Sequence, residues 1–186
     1  MTLGLIRAEF LLRDVTLADA PTLFAWRCAP RIAEMMLQPR PTSFEAHLGY
    51  LRGVLASSDT HALYVLEHRG RPVGHVGLKL SPEDAGTGDW TIYLGEMDAP
   101  RGSGFALGVL ALDRIFERPG FALLRTRILR RNALSQRLHV RLGFTREAEA
   151  EASAAEPVGI WSLTAAAWKP HRITAFHAAF RAAQPG

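Results

Sequence analysis

The stretch from Tyr93 to Gly120 constrains this chain more than any other, because it joins a β-like run to a long apolar helix through a glycine-bearing turn. Tyr93-Leu94-Gly95-Glu96 leads through Met97-Asp98-Ala99-Pro100 into Arg101-Gly102-Ser103-Gly104-Phe105-Ala106. Phe105, Leu107, Val109, Leu110, Leu112, Ile115 and Phe116 then recur at helical spacing until Pro119-Gly120 stops the helix. Such a turn leaves the first N–H groups of the helix without intrahelical partners, at the positive end of its dipole. They suit an anion such as a pyrophosphate. Gly102 and Gly104 let a ligand approach the backbone closely.

Rival phosphate loops fit less well. A Walker loop needs Gly-Lys-Ser/Thr, whereas Gly104 is followed by Phe105-Ala106. The dinucleotide fingerprint needs a third glycine three places after the second and an acidic residue ending a following strand. Here the next glycine is Gly108, and that acidic residue is missing.

The rest of the chain fills in around this junction. Phe10 to Val15 reads as a first strand, and Thr16 to Asp19 leads into a helix carrying Ala20, Leu23, Phe24 and Trp26, ended by Pro30. A second, shorter helix should hold Ile32, Met35 and Met36. A third begins near Ser43, with Phe44, Leu48, Leu51 and Leu55 on one face and Ser43 available as a cap. The pattern then switches to strands. Ala62 to Glu67 and Val73 to Leu80 flank the hairpin turn His68-Arg69-Gly70-Arg71-Pro72, and Trp90 to Leu94 completes an antiparallel meander. Beyond the apolar helix, Leu123 to Leu129 is a strand and Asn132 to Leu142 a helix ended by Gly143. Residues 146–156 are Ala/Glu-rich and read as a connecting segment, and Ile160 to Thr164 closes the sheet. Ile173, Phe176, Ala179 and Phe180 mark a C-terminal helical extension over residues 170–184, expected to dock on the rest of the chain, with docking on a partner as the alternative.

A length of 186 residues suits one domain with a substantial core. The net charge of +4 comes almost entirely from arginine, and no Lys/Arg-rich run reads as a nucleic-acid stripe. Cys28, the single cysteine, excludes an intrachain disulfide and fits a reducing compartment. The seven histidines form no ligand cluster, so no metal site is expected. Without signal-peptide architecture at Met1 to Phe10 or a membrane-length apolar run, the expectation is a cytoplasmic protein that binds neither membrane nor nucleic acid.

Two motifs carry a family resemblance. Arg101-x-x-Gly104-x-Ala106 after a strand resembles the Arg/Gln-x-x-Gly-x-Gly/Ala signature with which GNAT N-acetyltransferases hold the coenzyme A pyrophosphate. Asn132-Ala133-Leu134-Ser135-Gln136-Arg137-Leu138-His139-Val140-Arg141-Leu142-Gly143-Phe144 resembles the second GNAT motif: Asn, a small residue, then Tyr or His three places before Leu-Gly-Phe. Both motifs stand in the family's order and in strand–turn–helix context, which makes the pair far more specific than either alone. Trp26-Arg27, Met35-Met36, Ser43-x-x-x-His47 and the ending from Trp161 to Trp168 resemble the branch of ribosomal-protein N-terminal and UDP-amino-sugar acetyltransferases, the latter of the pseudaminic-acid-pathway type. Two departures stand out. Cys28 replaces the asparagine usual after Trp-Arg, and His139 stands where many members have tyrosine.

The resemblance implies an α/β (α+β) GNAT fold with a mixed, mostly antiparallel central sheet flanked by helices, one domain over residues 1–186 with its core at about 10–168. It implies transfer of an acetyl group from acetyl-coenzyme A to a primary amine of a small molecule, a nucleotide-linked amino sugar being the favoured acceptor. The alternatives are acetylation of a protein N-terminus and a non-catalytic acyl-coenzyme A sensor. Oligomeric state is open, a homodimer included. The backbone of Arg101, Gly102, Ser103, Gly104, Phe105 and Ala106 would hold the cofactor, Leu94 would offer main-chain hydrogen bonds to pantetheine, and Asn132 would add a polar contact. A thiol has a reference pKa of about 8.5 and imidazole about 6.5, so a His139 imidazolium would give a proton to the leaving thiolate downhill. Glu96 is the general-base candidate, directly or through water. Trp26, Arg27 and Tyr93 are placed toward the acceptor, Arg27 to pair a phosphate and the two rings as an apolar wall.

Overall fold

A computed structural model of the chain describes residues 3–151 and 157–172. Helix α1 (Leu3–Glu9) precedes strand β1 (Phe10–Asp14). A short 3-10 turn, Leu17–Asp19, leads into α2 (Ala20–Cys28), and α3 (Pro30–Ala33) and α4 (Phe44–Ala56) follow. Then come β2 (His61–His68), β3 (Arg71–Leu80) and β4 (Thr87–Leu94). The glycine turn opens α5 (Ser103–Phe116), followed by β5 (Leu123–Leu129), α6 (Ala133–Arg141), β6 (Thr145–Glu151) and β7 (Pro157–Thr164). The strands form one seven-stranded sheet in the order β1-β2-β3-β4-β5-β7-β6. Among the described strands only β4 and β5 pair in parallel, because α5 carries the chain back across the sheet between them.

Local chemistry explains most boundaries. Arg69 and Gly70 both have positive φ, as a two-residue hairpin turn requires, and they join β2 to β3 in register. Ser43 caps α4 by accepting from the Ala46 N–H at 3.1 Å, and Asn132 caps α6 by accepting from Ser135 at the same distance. Pro30, expected to end a helix, also starts the next one, where its missing N–H costs nothing. That helix stops at Ala33, so Met35 and Met36 lie in the turn beyond it.

Residues 146–151, read from sequence as connection, belong to β6, and β6 rather than β7 closes the sheet. Alternating Ala and Glu have weak strand propensity, but seven ladder positions of β7 pair with β5, leaving its other edge for β6. Residues 165–172 are helical and return to α5, where Trp168 Nε1 donates to Asp113 Oδ1 at 3.0 Å. Arg172 makes a second bond to the same oxygen, also at 3.0 Å. The remainder of the expected C-terminal extension, from Ile173 onward, lies outside the described residues.

The sheet separates two apolar layers. Tyr64, Leu66, Val76, Leu78, Trp90 and Leu94 face α5, which is apolar enough to be buried along most of its length. Leu63, Val65 and Tyr93 face the opposite way, against Leu23, Trp26, Leu51 and Val54 of α2 and α4. Strand β4 therefore contributes alternate side chains to two differently built compartments.

Candidate functional site

The parallel ladder between β4 and β5 is short. It joins Thr87–Asp89 to Leu123–Arg125 and then ends, although β4 runs on to Leu94 and β5 to Leu129. Past Asp89 the strands splay, with a single long contact from Thr126 Oγ1 to the Trp90 carbonyl at 3.5 Å. A gap in mid-sheet presents backbone donors and acceptors along both edges, where an extended ligand with amide groups can pair as a strand would.

The glycine turn stands beside the far end of that gap. Gly102 has φ +92° and caps α5, a conformation that a side chain would strain. Gly104 differs. It lacks positive φ, and an added Cβ would meet only Leu94 Cδ1 at an ordinary 3.7 Å, so packing alone does not demand glycine there. A helical glycine costs about 1 kcal/mol against alanine. Ser103 and Ala106 contribute less than their position in the turn suggests. The Ser103 N–H and hydroxyl both bond the Pro100 carbonyl, the side chain is fully buried, and the Ala106 N–H makes the first intrahelical bond. The Phe105 ring enters the core, and Arg101 is exposed. The N–H groups of Gly102 and Gly104 at this helix end have no backbone partner, which suits an anionic group.

Helix α6 closes on the same turn. Arg141 lies over the Phe105 ring at 4.4 Å, bringing a cation that no motif pointed to. A Cβ on Gly108 would sit 2.5 Å from Leu142, so this glycine serves helix contact, which explains why it matched no phosphate fingerprint. Asn132 spends its side-chain oxygen as the α6 cap, leaving its NH2 for other partners.

His139 is only 1% exposed, held between Trp90 and Phe144. Its Nδ1 lies 2.7 Å from the Ser135 carbonyl and its Nε2 3.2 Å from Trp90 Nε1. Indole N–H donates only, so Nε2 must accept and the proton sits on Nδ1. Burial pushes the imidazole down to about 4, with the Ser135 bond opposing weakly. Protonating Nε2 would set two donors face to face. Burial and these two contacts hold His139 in the neutral form here. Ser135, which the motif left as a small residue, is half-buried with its hydroxyl 3.3 Å from His139 Nδ1.

On the other side of β4, Glu96 and Trp26 are brought together. The Trp26 indole donates to Glu96 Oε1 at 2.8 Å and lies against Gly95, where any Cβ would penetrate the ring. Trp26 is 5% exposed and supports the carboxylate through its indole N–H. Arg31, unmarked by any motif, donates to the Leu94 carbonyl at 3.1 Å and to the Gly95 carbonyl. The Leu94 carbonyl is thus occupied in this state. Tyr93 is half-buried, edge-on to Trp26 and against His75, and burial raises its hydroxyl above the ordinary phenol range. Arg27 binds the Gln38 and Pro39 carbonyls through Nη2 at 3.1 and 2.9 Å.

Comparison with known proteins gives a consistent picture. A model of the acetyltransferase (GNAT) domain family matches residues 9–145. No curated protein sequence matches the chain. The crystal structure of aminoglycoside acetyltransferase AAC(6')-Ib in complex with coenzyme A is similar at TM-score 0.76 and 22% identity, over 88% of this chain and 99% of that one. Spermidine N-acetyltransferase from Vibrio cholerae, in complex with CoA and spermine, is similar at TM-score 0.76 and 15% identity, over 87% and 99%. RimL, a ribosomal L7/L12 alpha-N-protein acetyltransferase in complex with coenzyme A, is similar at TM-score 0.73 and 14% identity, over 84% and 94%. At these identities the likeness is one of fold.

Proposed function

Because the chain belongs to the acetyltransferase (GNAT) domain family, we propose that it transfers an acetyl group from acetyl-coenzyme A to the primary amine of a small molecule, with a nucleotide-linked amino sugar the favoured acceptor. The observation that carries the reading is the splayed β4–β5 gap beside the Gly102–Gly104 helix start. When bound, acetyl-coenzyme A supplies the thioester carbonyl that the amine attacks. Arg101, Gly102 and Gly104 hold the pyrophosphate end through backbone and charge, and the Leu94 edge holds the pantetheine once Arg31 releases its carbonyl. Asn132 adds its free amide NH2.

An ammonium must lose a proton before it attacks. Glu96 takes that proton: Trp26 fixes its Oε1, leaving Oε2 for the amine or an intervening water. On the sulfur side a hydrogen bond from the Ser135 hydroxyl takes the place assigned from sequence to His139, which keeps α6 and Trp90 in position. Glu96 follows directly on the end of β4 beside the gap, so the amine and the thioester would meet there and the reaction would gain from proximity.

The structurally similar enzymes act on an aminoglycoside, on spermidine or on a ribosomal protein, and the fold does not choose among such amines. The half-buried Arg27 favours an acceptor that carries an anionic group over a polycation. Thiol release from acetyl-coenzyme A, measured over a panel of UDP-amino sugars, free amino sugars, polyamines and peptides, tests the reading. Release with UDP-amino sugars is expected. Turnover of peptides alone would shift the assignment to N-terminal acetylation, and no release with any amine would leave only cofactor binding.

A further inference from the structure

Because β4 and β5 run parallel, their C-terminal ends stand at the same end of the gap between them, and one short segment is tied to both. That segment is residues 31–34, in and just after α3. Arg31 donates through Nη1 to the Leu94 carbonyl at 3.1 Å and through Nη2 to the Gly95 carbonyl, at the end of β4. The Glu34 carbonyl accepts from Arg131 Nη2 at 2.5 Å, and Arg131 lies two residues beyond the end of β5. The turn thus reaches from one lip of the gap to the other.

Its own bonds keep it in one piece. The Ala33 N–H donates to Ala29, Glu34 to Pro30 and Met35 to Ile32, at 2.9 to 3.0 Å. Ile32 is buried in the same apolar cluster as Trp26, whereas Arg31 and Glu34 are exposed. The ties to the lips are of one kind, a guanidinium on a backbone carbonyl, and Arg31 has no carboxylate partner among the described residues. Bonds of this sort at the surface exchange readily for water or another donor. The carbonyl that Arg31 holds also faces the gap. The Gly95 N–H turns toward β3, where it donates to the Val73 carbonyl at 2.9 Å, so by strand alternation the Leu94 carbonyl points the other way, toward β5.

We propose that residues 31–34 form a strap that closes the mouth of the β4–β5 gap, latched by Arg31 and Arg131 and unlatched when an amide of the cofactor takes the edge of β4 at Leu94. This rests on the acetyl-transfer reading and adds a control to that same site. The Arg31 guanidinium stands in the free chain for the amide N–H of the bound cofactor, so latch and ligand compete for one edge. Ile32 keeps the base of the strap in its apolar cluster while the exposed side of the turn lifts. Release from the Gly95 carbonyl also clears the backbone next to Glu96, which opens the carboxylate to the amine after the thioester is seated.

Removing the latch should strengthen cofactor binding, an outcome that loss of a merely structural contact does not give. Calorimetric titration of the full chain with coenzyme A is expected to show Arg31→Met binding about tenfold tighter than wild type, the gain for a latched form that outnumbers the open one by about ten to one. Arg31→Lys, which keeps the charge but not the forked pair of donors, should fall between them. Amide exchange gives a second reading that needs no variant. In the wild type the amides of residues 33–35 should exchange faster once coenzyme A is bound, and in Arg31→Met they should be fast without it. Unchanged or weaker coenzyme A binding by Arg31→Met, or slower exchange at residues 33–35 when the wild type binds coenzyme A, would overturn the strap. Failure of the wild type to bind coenzyme A at all would instead sink the acetyl-transfer reading on which it rests.

Discussion

His139 and His75 lie on opposite faces of β4 and its neighbours, are both buried, and are both pushed down to about 4 by burial. They differ in partners. Both ring nitrogens of His139 are engaged, by Trp90 and Ser135, whereas His75 Nδ1 is unpaired. Burial alone thus says little about function. The satisfied histidine holds the core around α5 and α6 together, whereas the unsatisfied one leaves a buried ring nitrogen at a cost to stability.

The largest expected effect comes from breaking the boundary between the two compartments. Trp26→Ala removes the ring that covers Gly95 and orients Glu96, and should cost about 3–5 kcal/mol of stability in chemical denaturation. Its turnover should fall further than cofactor affinity, because the carboxylate loses its support.

Acidification probes both histidines at once. Their folded-state pKa values lie below the unfolded value, so the unfolded chain binds more protons between them. The stability they contribute is present above about pH 6.5 and is lost as pH falls toward about 4, at up to about 1.4 kcal/mol per pH unit for each histidine. Denaturation midpoints measured from pH 7.5 to 4 should decline over that window, and His139→Phe should flatten the decline by one histidine's share.

The same substitution sharpens the contrast at neutral pH. His139→Phe strands the Trp90 N–H and should cost about 1–3 kcal/mol, whereas His47→Leu removes an unpaired imidazole and should be near neutral or slightly stabilising. If the two variants lose equal stability, the distinction between satisfied and unsatisfied histidines fails. A pH–rate profile whose acid limb vanishes in His139→Phe would restore the proton-donor assignment.

The smallest effect on the fold is expected at Gly104→Ala, where the added methyl has room and stability should change by less than about 1 kcal/mol. Coenzyme A affinity should nevertheless fall about tenfold by calorimetry. Gly108→Ala, whose Cβ would press on Leu142, should do the reverse, costing about 1–3 kcal/mol and sparing affinity in the folded fraction.

The half of the molecule around α5 and α6 was legible in the sequence because its signals are local. Gly102 to Phe116 and Asn132 to Phe144 carry turn, cap and helix within single segments, and the structure folds them as read. What stayed hidden depends on residues far apart in the chain. The fate of His139 is set by Trp90 across the sheet, and Arg31 reaches Leu94 from a helix that ends before the methionines. Strand β6 was missed because its Ala/Glu composition hides an alternation that only the β7 ladder makes meaningful.

On this proposal the cofactor enters the sheet where β4 and β5 part, next to the glycine turn. Amide hydrogen exchange with and without acetyl-coenzyme A tests it directly. Protection should rise at residues 90–96 and 101–106, and hardly at all along the fully paired β5–β7 ladder. Protection confined to other elements, or none at saturating ligand, would contradict it.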